Sequence, residues 1–260
     1  MNKQIVKNIL YIKNFKEGKN QNHLLTIPNI KVKFMNSTEL IGYTIEELKN
    51  IIEPYNYIIL GGGKQHLTFD DFLTKYPEIK NQIEIVKLIS NHYIKDKLLI
   101  GICLGCQIIA LGFGLKIIPM KKLFIGFDYL DLDSINQEYI SKSNDKYLNK
   151  LDFELLSKSF SFHWDCVDFS TKSTNKLFTN NDELVLIAES IEKHPYVIAN
   201  TNSNIYGFQS HPEISLEAIF CAINTFGYTD TIKMDCIKNN LKLNELENIY
   251  KHFFNIFLDI

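Results

Sequence analysis

With 260 residues, 45% of them hydrophobic and 22% charged, the chain has the length and apolar content for one large core or two small ones. A formal net charge of -2 and a pI near 6.4 leave it without the basic excess that nucleic acid or an anionic membrane surface selects. All 28 basic residues are lysines, so no guanidinium fork is present to grip phosphate or carboxylate at two points.

Five cysteines are an odd number, and Lys3, Lys7 and Lys13 crowd the start too closely for a clean apolar leader. The expectation is a reducing, cytoplasmic compartment with free thiols. Asn8–Ile12 and Ile30–Phe34 read as the first two strands, joined by a polar surface loop. Thr44-Ile45-Glu46-Glu47 is a capping box that opens a helix through Ile52, and Pro54 closes it. Tyr57–Leu60 is a buried strand running into Gly61-Gly62-Gly63, three residues that can expose backbone N–H groups to a bound oxygen. Pro77–Tyr93 places Ile79, Ile83, Val86, Ile89 and Tyr93 on one helical face.

The apolar run Leu98–Ile102 then meets Gly101-Ile102-Cys103-Leu104-Gly105 and continues at helical spacing through Gln107. This is the pattern of a nucleophile elbow, in which small residues two positions on either side allow the sharp turn. The following helix aims its free N–H groups at the Cys103 sulfur, and the Leu104 N–H is placed to stabilise an oxyanion. Other readings compete for these residues. Leu98–Leu115 is uncharged and long enough to suggest a membrane span, although four glycines break it. Cys103 and Cys106 form a C-x-x-C that could be a redox pair, and with His163 and Cys166 a zinc set. An inert core cysteine is the remaining option.

Leu115–Ile118 and Phe124–Leu132 read as further strands, and Ser134–Lys150 as a polar surface excursion. Phe160–Asp165 alternates like a strand; its His163 and Asp165 either line a polar pocket or form a satisfied pair at the strand end. Leu184–Ala188, Tyr196–Ala199 and Ile205–Phe208 follow as short strands, the last delivering Gln209-Ser210-His211-Pro212-Glu213. Glu213 lies two residues beyond His211, close enough to orient the ring while its other nitrogen faces a thiol. Ser215–Asn224 reads as a helix, Phe226–Asn239 as loop, and Leu241–Leu258 as a closing helix with Leu243, Leu246, Tyr250, Phe253 and Phe257 inward. Strand, glycine turn, helix, strand, elbow and helix are the grammar of an open, mostly parallel α/β sheet flanked by helices, here one domain over 1–260.

Three blocks resemble the class I glutamine amidotransferases, in their order and spacing: Tyr57–Gly63, Gly101–Gln107 and Tyr206–Glu213. Ile125-Gly126-Phe127 and His163-Trp164-Asp165 resemble secondary signatures, and the likeness runs over about 5–225, leaving 226–260 as a C-terminal loop and helix. The resemblance implies a flavodoxin-like fold and a Cys-His-Glu triad: Cys103 as nucleophile, His211 as base then acid, Glu213 as orienting carboxylate. It implies oxyanion donors at Leu104 and Gly63, with Gly62 second to Gly63, and substrate binding by Gln107, His163 and Asp165. The expected substrate is glutamine or a γ-glutamyl small molecule, cleaved through a γ-glutamyl thioester, with no cofactor and no metal.

The branch it looks most like is the glutaminase part of GMP synthase. No P-loop or pyrophosphatase loop is found, so released ammonia would pass to a separate synthase subunit. A γ-glutamyl peptidase is the alternative within enzymes, and a non-catalytic binding module the alternative outside them. Lys64, Ser210, Phe124 and Trp164 depart from the family pattern, the last two where they bear on the pocket's shape. Cys106 is a candidate for a regulatory disulfide.

Overall fold

The uncharged run that leads into Cys103 forms a fully buried strand. In the computed structural model, which describes residues 6–15, 24, 27–91, 96–127, 129–170, 182–202, 204–225 and 243–259, every residue of Leu98–Ile102 is buried. Such a run can only be a central strand covered on both faces.

In chain order the elements are β1 (Lys7–Lys13), β2 (Ile30–Asn36), α1 (Ile45–Ile52), β3 (Tyr57–Leu60), α2 (Phe72–Lys75), α3 (Pro77–Ser90), β4 (Leu98–Ile102) and α4 (Leu104–Gly112). Then come β5 (Lys116–Gly126), α5 (Gln137–Ser143), α6 (Phe153–Ser157), β6 (Ser161–Asp168), β7 (Leu184–Glu189), β8 (Pro195–Asn200), β9 (Ile205–Phe208), α7 (Leu216–Thr225) and α8 (Leu243–Leu258). Seven strands form one sheet in the order β2-β1-β3-β4-β9-β8-β7, with β2, β1, β3, β4 and β9 parallel and the β9–β8 and β8–β7 pairings antiparallel.

Period-two alternation divides the core. In β1, Leu10 and Ile12 join Ile58, Ile79, Val86 and Ile109 beneath α1, α3 and α4, whereas Ile9 and Tyr11 face the layer that holds Phe253, Phe254 and Phe257 of α8. Phe208 meets Phe253 and Phe257 edge-on at centroid separations of 5.0 and 5.5 Å, so the closing helix seals the strand that carries the histidine. Leu246, Phe253 and Phe257 point inward as their spacing predicts, and Tyr250 is half-buried; the side chain of Leu243 lies outside the described residues. So does the expected loop Phe226–Asn239.

The Thr44 capping box is formed in full, with Glu47 N–H donating to Thr44 Oγ1 and Thr44 N–H to the Glu47 carboxylate. The Leu98–Leu115 run divides at Cys103 into strand and helix, and no helix among the described residues is long and apolar enough to cross a membrane.

Two expectations are corrected. Leu115–Ile118 and Phe124–Leu132 are not separate strands: β5 is continuous from Lys116 to Gly126 and pairs antiparallel with β6 in a two-stranded ribbon outside the main sheet. Its register slips between Pro119 and Phe124, where proline offers no N–H to the ladder. Ser134–Lys150 is not a surface excursion either. It carries α5, and its buried Asp145 accepts the N–H groups of Tyr147 and Leu148 at 2.9 Å and the hydroxyl of Tyr206 at 2.8 Å. One acidic residue that satisfies three donors lets a polar sequence enter the core.

The close fit of α4 on the sheet has a measurable consequence. Alanine ordinarily favours a helix interior over glycine by about 1 kcal/mol, but a Cβ on Gly105 would stand 2.0 Å from the Leu60 carbonyl oxygen. Gly105→Ala should therefore destabilise the fold by about 2 kcal/mol or more in urea titration; an unchanged or raised midpoint would contradict this packing.

Candidate active site

Cys103 follows β4 directly, with φ +52° and ψ −106°. A non-glycine residue holds such strained angles only where its surroundings over-determine them. Its own N–H donates to the Phe208 carbonyl at 2.7 Å, tying the turn to the end of β9. Gly101 and Gly105 pass so close that a Cβ on Gly101 would lie 2.4 Å from the Gly105 oxygen. The turn therefore requires both glycines, and it projects the sulfur beyond the carboxyl ends of the parallel strands, at the amino end of α4.

Because β4 pairs with β9, Ile102 against Phe208, the segment leaving β9 emerges beside Cys103. His211 N–H donates to Phe160 O at 2.7 Å, pinning that segment to the start of the ribbon. Cys103 lies beside the His211 ring with its Sγ–H donating to Phe162 O at 3.7 Å, and His211 Nδ1 lies 3.1 Å from Glu213 Oε1. Burial pulls the imidazolium's pKa down, but the negative charges of Glu213 and Cys103 outweigh it and hold His211 well above the usual histidine range.

His163 behaves in the opposite way. It is buried, its Nδ1–H donates to Asp165 O at 3.2 Å, and burial lowers its pKa to about 3, so the ring stays neutral. Its Nε2 is buried without a partner, an acceptor with nothing to accept. Asp165 has its carboxyl pKa raised by burial, countered by the ring of His66, whose Nδ1 lies 3.0 Å from Asp165 Oδ2. Gln107 donates to Asp165 O at 2.9 Å and to Gln209 Oε1 at 3.4 Å, joining elbow helix, ribbon and the segment that leaves β9.

One cleft brings Cys103, Leu104, Gln107, His163, Asp165, His211, Glu213, Gly62 and Gly63 together, all nine of the residues picked out from sequence. Both glycines of the turn are tightly enclosed. A Cβ on Gly62 would lie 2.7 Å from His211 Cε1 and 3.6 Å from Cys103 Cβ, whereas one on Gly63 would strike Gln65, Leu104 and Asn14.

Lys13, Phe15, Lys64, Gln65 and His66 also line the cleft, and none was singled out for it from sequence. The one readable signal for His66 was its place three residues past the glycine triplet. The departures from the family pattern also find places: Trp164 joins Phe162 and His66 in the wall at 5.1 and 5.6 Å, and the buried Phe124 ring backs His163 at 5.4 Å.

The rival readings of the cysteines separate by position. Cys106 is buried, with its sulfur 2.8 Å from where a Gly207 Cβ would be, so it points under the sheet and not at Cys103's cleft. Cys166 turns to His194 Nδ1 at 3.6 Å, and burial pushes its thiol up to about 12. The four described cysteines are free, and among the described residues no group of three or more His, Cys, Asp and Glu could hold a metal ion.

Comparison with known proteins adds a family. The class-I glutamine amidotransferase profile matches residues 20–219. A glutamine amidotransferase-like protein, L716 of Acanthamoeba polyphaga mimivirus, is 27% identical over 168 residues, which span 65% of this chain and 62% of that relative. Among solved structures, a glutamine amidotransferase from Thermotoga maritima superposes with a TM-score of 0.68 at 15% identity, over 99% of this chain and 100% of its own. A protein described as a GMP synthase component, from Thermoplasma acidophilum, gives 0.53 at 17% identity, over 94% and 96%. At these identities the two structures speak for the fold.

The raised pKa of His211 fixes the sign of a pH effect. A histidine whose folded value exceeds its unfolded one contributes stability that is complete below the unfolded pKa and lost as pH rises through the folded pKa. Glu213→Gln should therefore lower the His211 pKa, read from the ring proton shifts by NMR, and should cost more stability at pH 6 than at alkaline pH. An unmoved titration would mean that Glu213 does not hold the imidazolium.

Proposed function

The chain belongs to the class I glutamine amidotransferase family, and from that premise we propose that it is a cysteine hydrolase that cleaves the γ-amide of glutamine. The observation that carries this reading is Cys103 on its strained turn beside a His211 that Glu213 orients, with all three lining one cleft.

The Cys103 thiolate would attack the side-chain carbonyl carbon, and the carbonyl electrons would move onto oxygen. Backbone N–H groups of Leu104 and of the glycine turn, Gly63 before Gly62, would hold that oxyanion. His211 would give its proton to the amide nitrogen, the C–N bond would break, and ammonia would leave a γ-glutamyl thioester. Water would then add to the thioester, its proton passing to His211, and collapse would expel the Cys103 sulfur and release glutamate. His163 Nε2 offers the substrate a hydrogen-bond acceptor, and Asp165 a carboxylate. Gln107, which bridges three elements, holds the wall in place. Ammonia would pass to a separate synthase subunit.

One observation favours a second reading, a γ-glutamyl peptidase. Phe15, Phe160, Phe162, Trp164 and Ile214 give the cleft an aromatic and aliphatic wall. Such a wall suits a leaving amine that bears an apolar group better than it suits ammonia. Incubation with a glutamine chloroketone should label Cys103 in the wild type and leave Cys103→Ala unmodified, with turnover of glutamine or γ-glutamyl p-nitroanilide falling about 10⁴-fold or more in that variant. A higher kcat/KM for the anilide would select the peptidase. Absence of labelling and of turnover on both substrates would leave a binding module.

A further inference from the structure

The loop that faces Cys103 is held by side chains that nothing in the catalytic reading uses. Asn14 is the first residue beyond β1 and Gly61 the first beyond β3, and the last ladder bond between these strands is Gly61 N–H to Ile12 O at 2.9 Å. From there a side chain takes over. Asn14 Nδ2 donates to Gly61 O at 2.9 Å and to Gln82 Oε1 at 3.1 Å, and Gln82 Nε2 returns a bond of 2.7 Å to Asn14 Oδ1. Gln82 Nε2 also reaches Glu78 O at 3.4 Å.

Both amides are buried, Gln82 completely, and every donor and acceptor of the pair is used. A second strap closes the other end of the loop: Gln65 Nε2 donates to Asn14 O at 3.2 Å and to Glu78 Oε1 at 3.1 Å. Residues 61–65 thus hang from Asn14 at both ends, by its side chain and by its own carbonyl.

No peptide bond among the described residues is cis. In a planar trans peptide the C=O and the following N–H point in opposite directions. Holding the Gly61 oxygen on Asn14 therefore turns the Gly62 N–H away from Asn14, in the residue that stands against Cys103 and His211. Left to itself a run of three glycines would sample many peptide orientations, and a donor aimed at an oxyanion loses its effect when it wanders.

From these contacts we infer that the Asn14–Gln82 amide pair is a positioning device for the reaction, which locks the Gly61–Gly63 turn so that its N–H groups are aimed at the developing oxyanion. This rests on the reading of Cys103 as the acylated nucleophile. Asn14 and Gln82 touch no substrate; they act through the peptide they hold.

The role separates two reactions of the same sulfur. Hydrolysis of a γ-glutamyl amide puts charge on a carbonyl oxygen, whereas alkylation by iodoacetamide only displaces iodide from carbon and forms no oxyanion. In Asn14→Leu, and independently in Gln82→Met in case the first variant folds poorly, kcat for γ-glutamyl p-nitroanilide should fall about 10- to 100-fold with KM within about twofold, the margin left for binding that does not use the donor. The rate of Cys103 alkylation by iodoacetamide should stay within the same factor.

Variants that hydrolyse as the wild type does would overturn the inference, and so would an equal fall in hydrolysis and alkylation, which would mark general loss of the site. A wild type that reacts with iodoacetamide at Cys103 but turns over no γ-glutamyl amide would overturn the underlying reading as well. That outcome is told from the others by the wild type alone.

Discussion

Everything in the cleft depends on one backbone constraint, the left-handed turn at Cys103. A β-carbon at φ +52° is tolerated only because Gly101 and Gly105 flank the turn and because the Cys103 N–H is bonded to β9. That bond sets the spacing between the elbow and the strand that delivers His211. The sulfur and the ring thus meet because two neighbouring parallel strands end at the same level, Ile102 opposite Phe208. The pairing of Phe160 with His211 then brings in the ribbon, which supplies His163, Trp164 and Asp165. Strain at one residue is thus balanced by long-range hydrogen bonds between elements far apart in the chain.

The site was legible where its chemistry is local in sequence and obscure where it is not. The elbow, the glycine turn and His211-Pro212-Glu213 each lie within a few residues, so their spacing carries their geometry. The contacts that complete them span the chain. Asn14 and Gln82 are separated by 68 positions, and His66 and Asp165 by 99. No periodicity reports such pairs; a polar residue at the end of an otherwise buried strand, as Asn14 is, gives the only hint. Spacing does not distinguish Gly62 from Gly63 either, since what encloses each, His211 for the one and Leu104 and Asn14 for the other, comes from distant parts of the chain.

The fold shows the same division. Parallel strands with continuous apolar runs were readable with their ends nearly right, because burial on both faces leaves no other pattern. The ribbon was misread because Pro119 and the lysines after it look like a break, although antiparallel pairing survives a slip of register there. Ser134–Lys150 was misread because its polarity suggested water, when Asp145 instead satisfies donors inside the protein. Polar composition identifies a need for partners, and it does not say whether those partners are solvent.

Two histidines in one cleft show what decides a role. His163 and His211 are both removed from water, and for both burial works against the charged form. His163 has only a backbone carbonyl to donate to and feels the positive side of its neighbours, so it stays neutral. His211 has Glu213 on one nitrogen and the Cys103 sulfur at hand, and the pull of those negative groups exceeds the burial penalty. Groups whose environments push their pKa values apart can divide the acid–base work between them. His211 is thus biased toward holding its proton beside the sulfur, while His163 keeps the lone pair of a buried, unpartnered Nε2. A carboxylate two residues along the chain marks the imidazole whose pKa is raised, and the ring without one stays neutral.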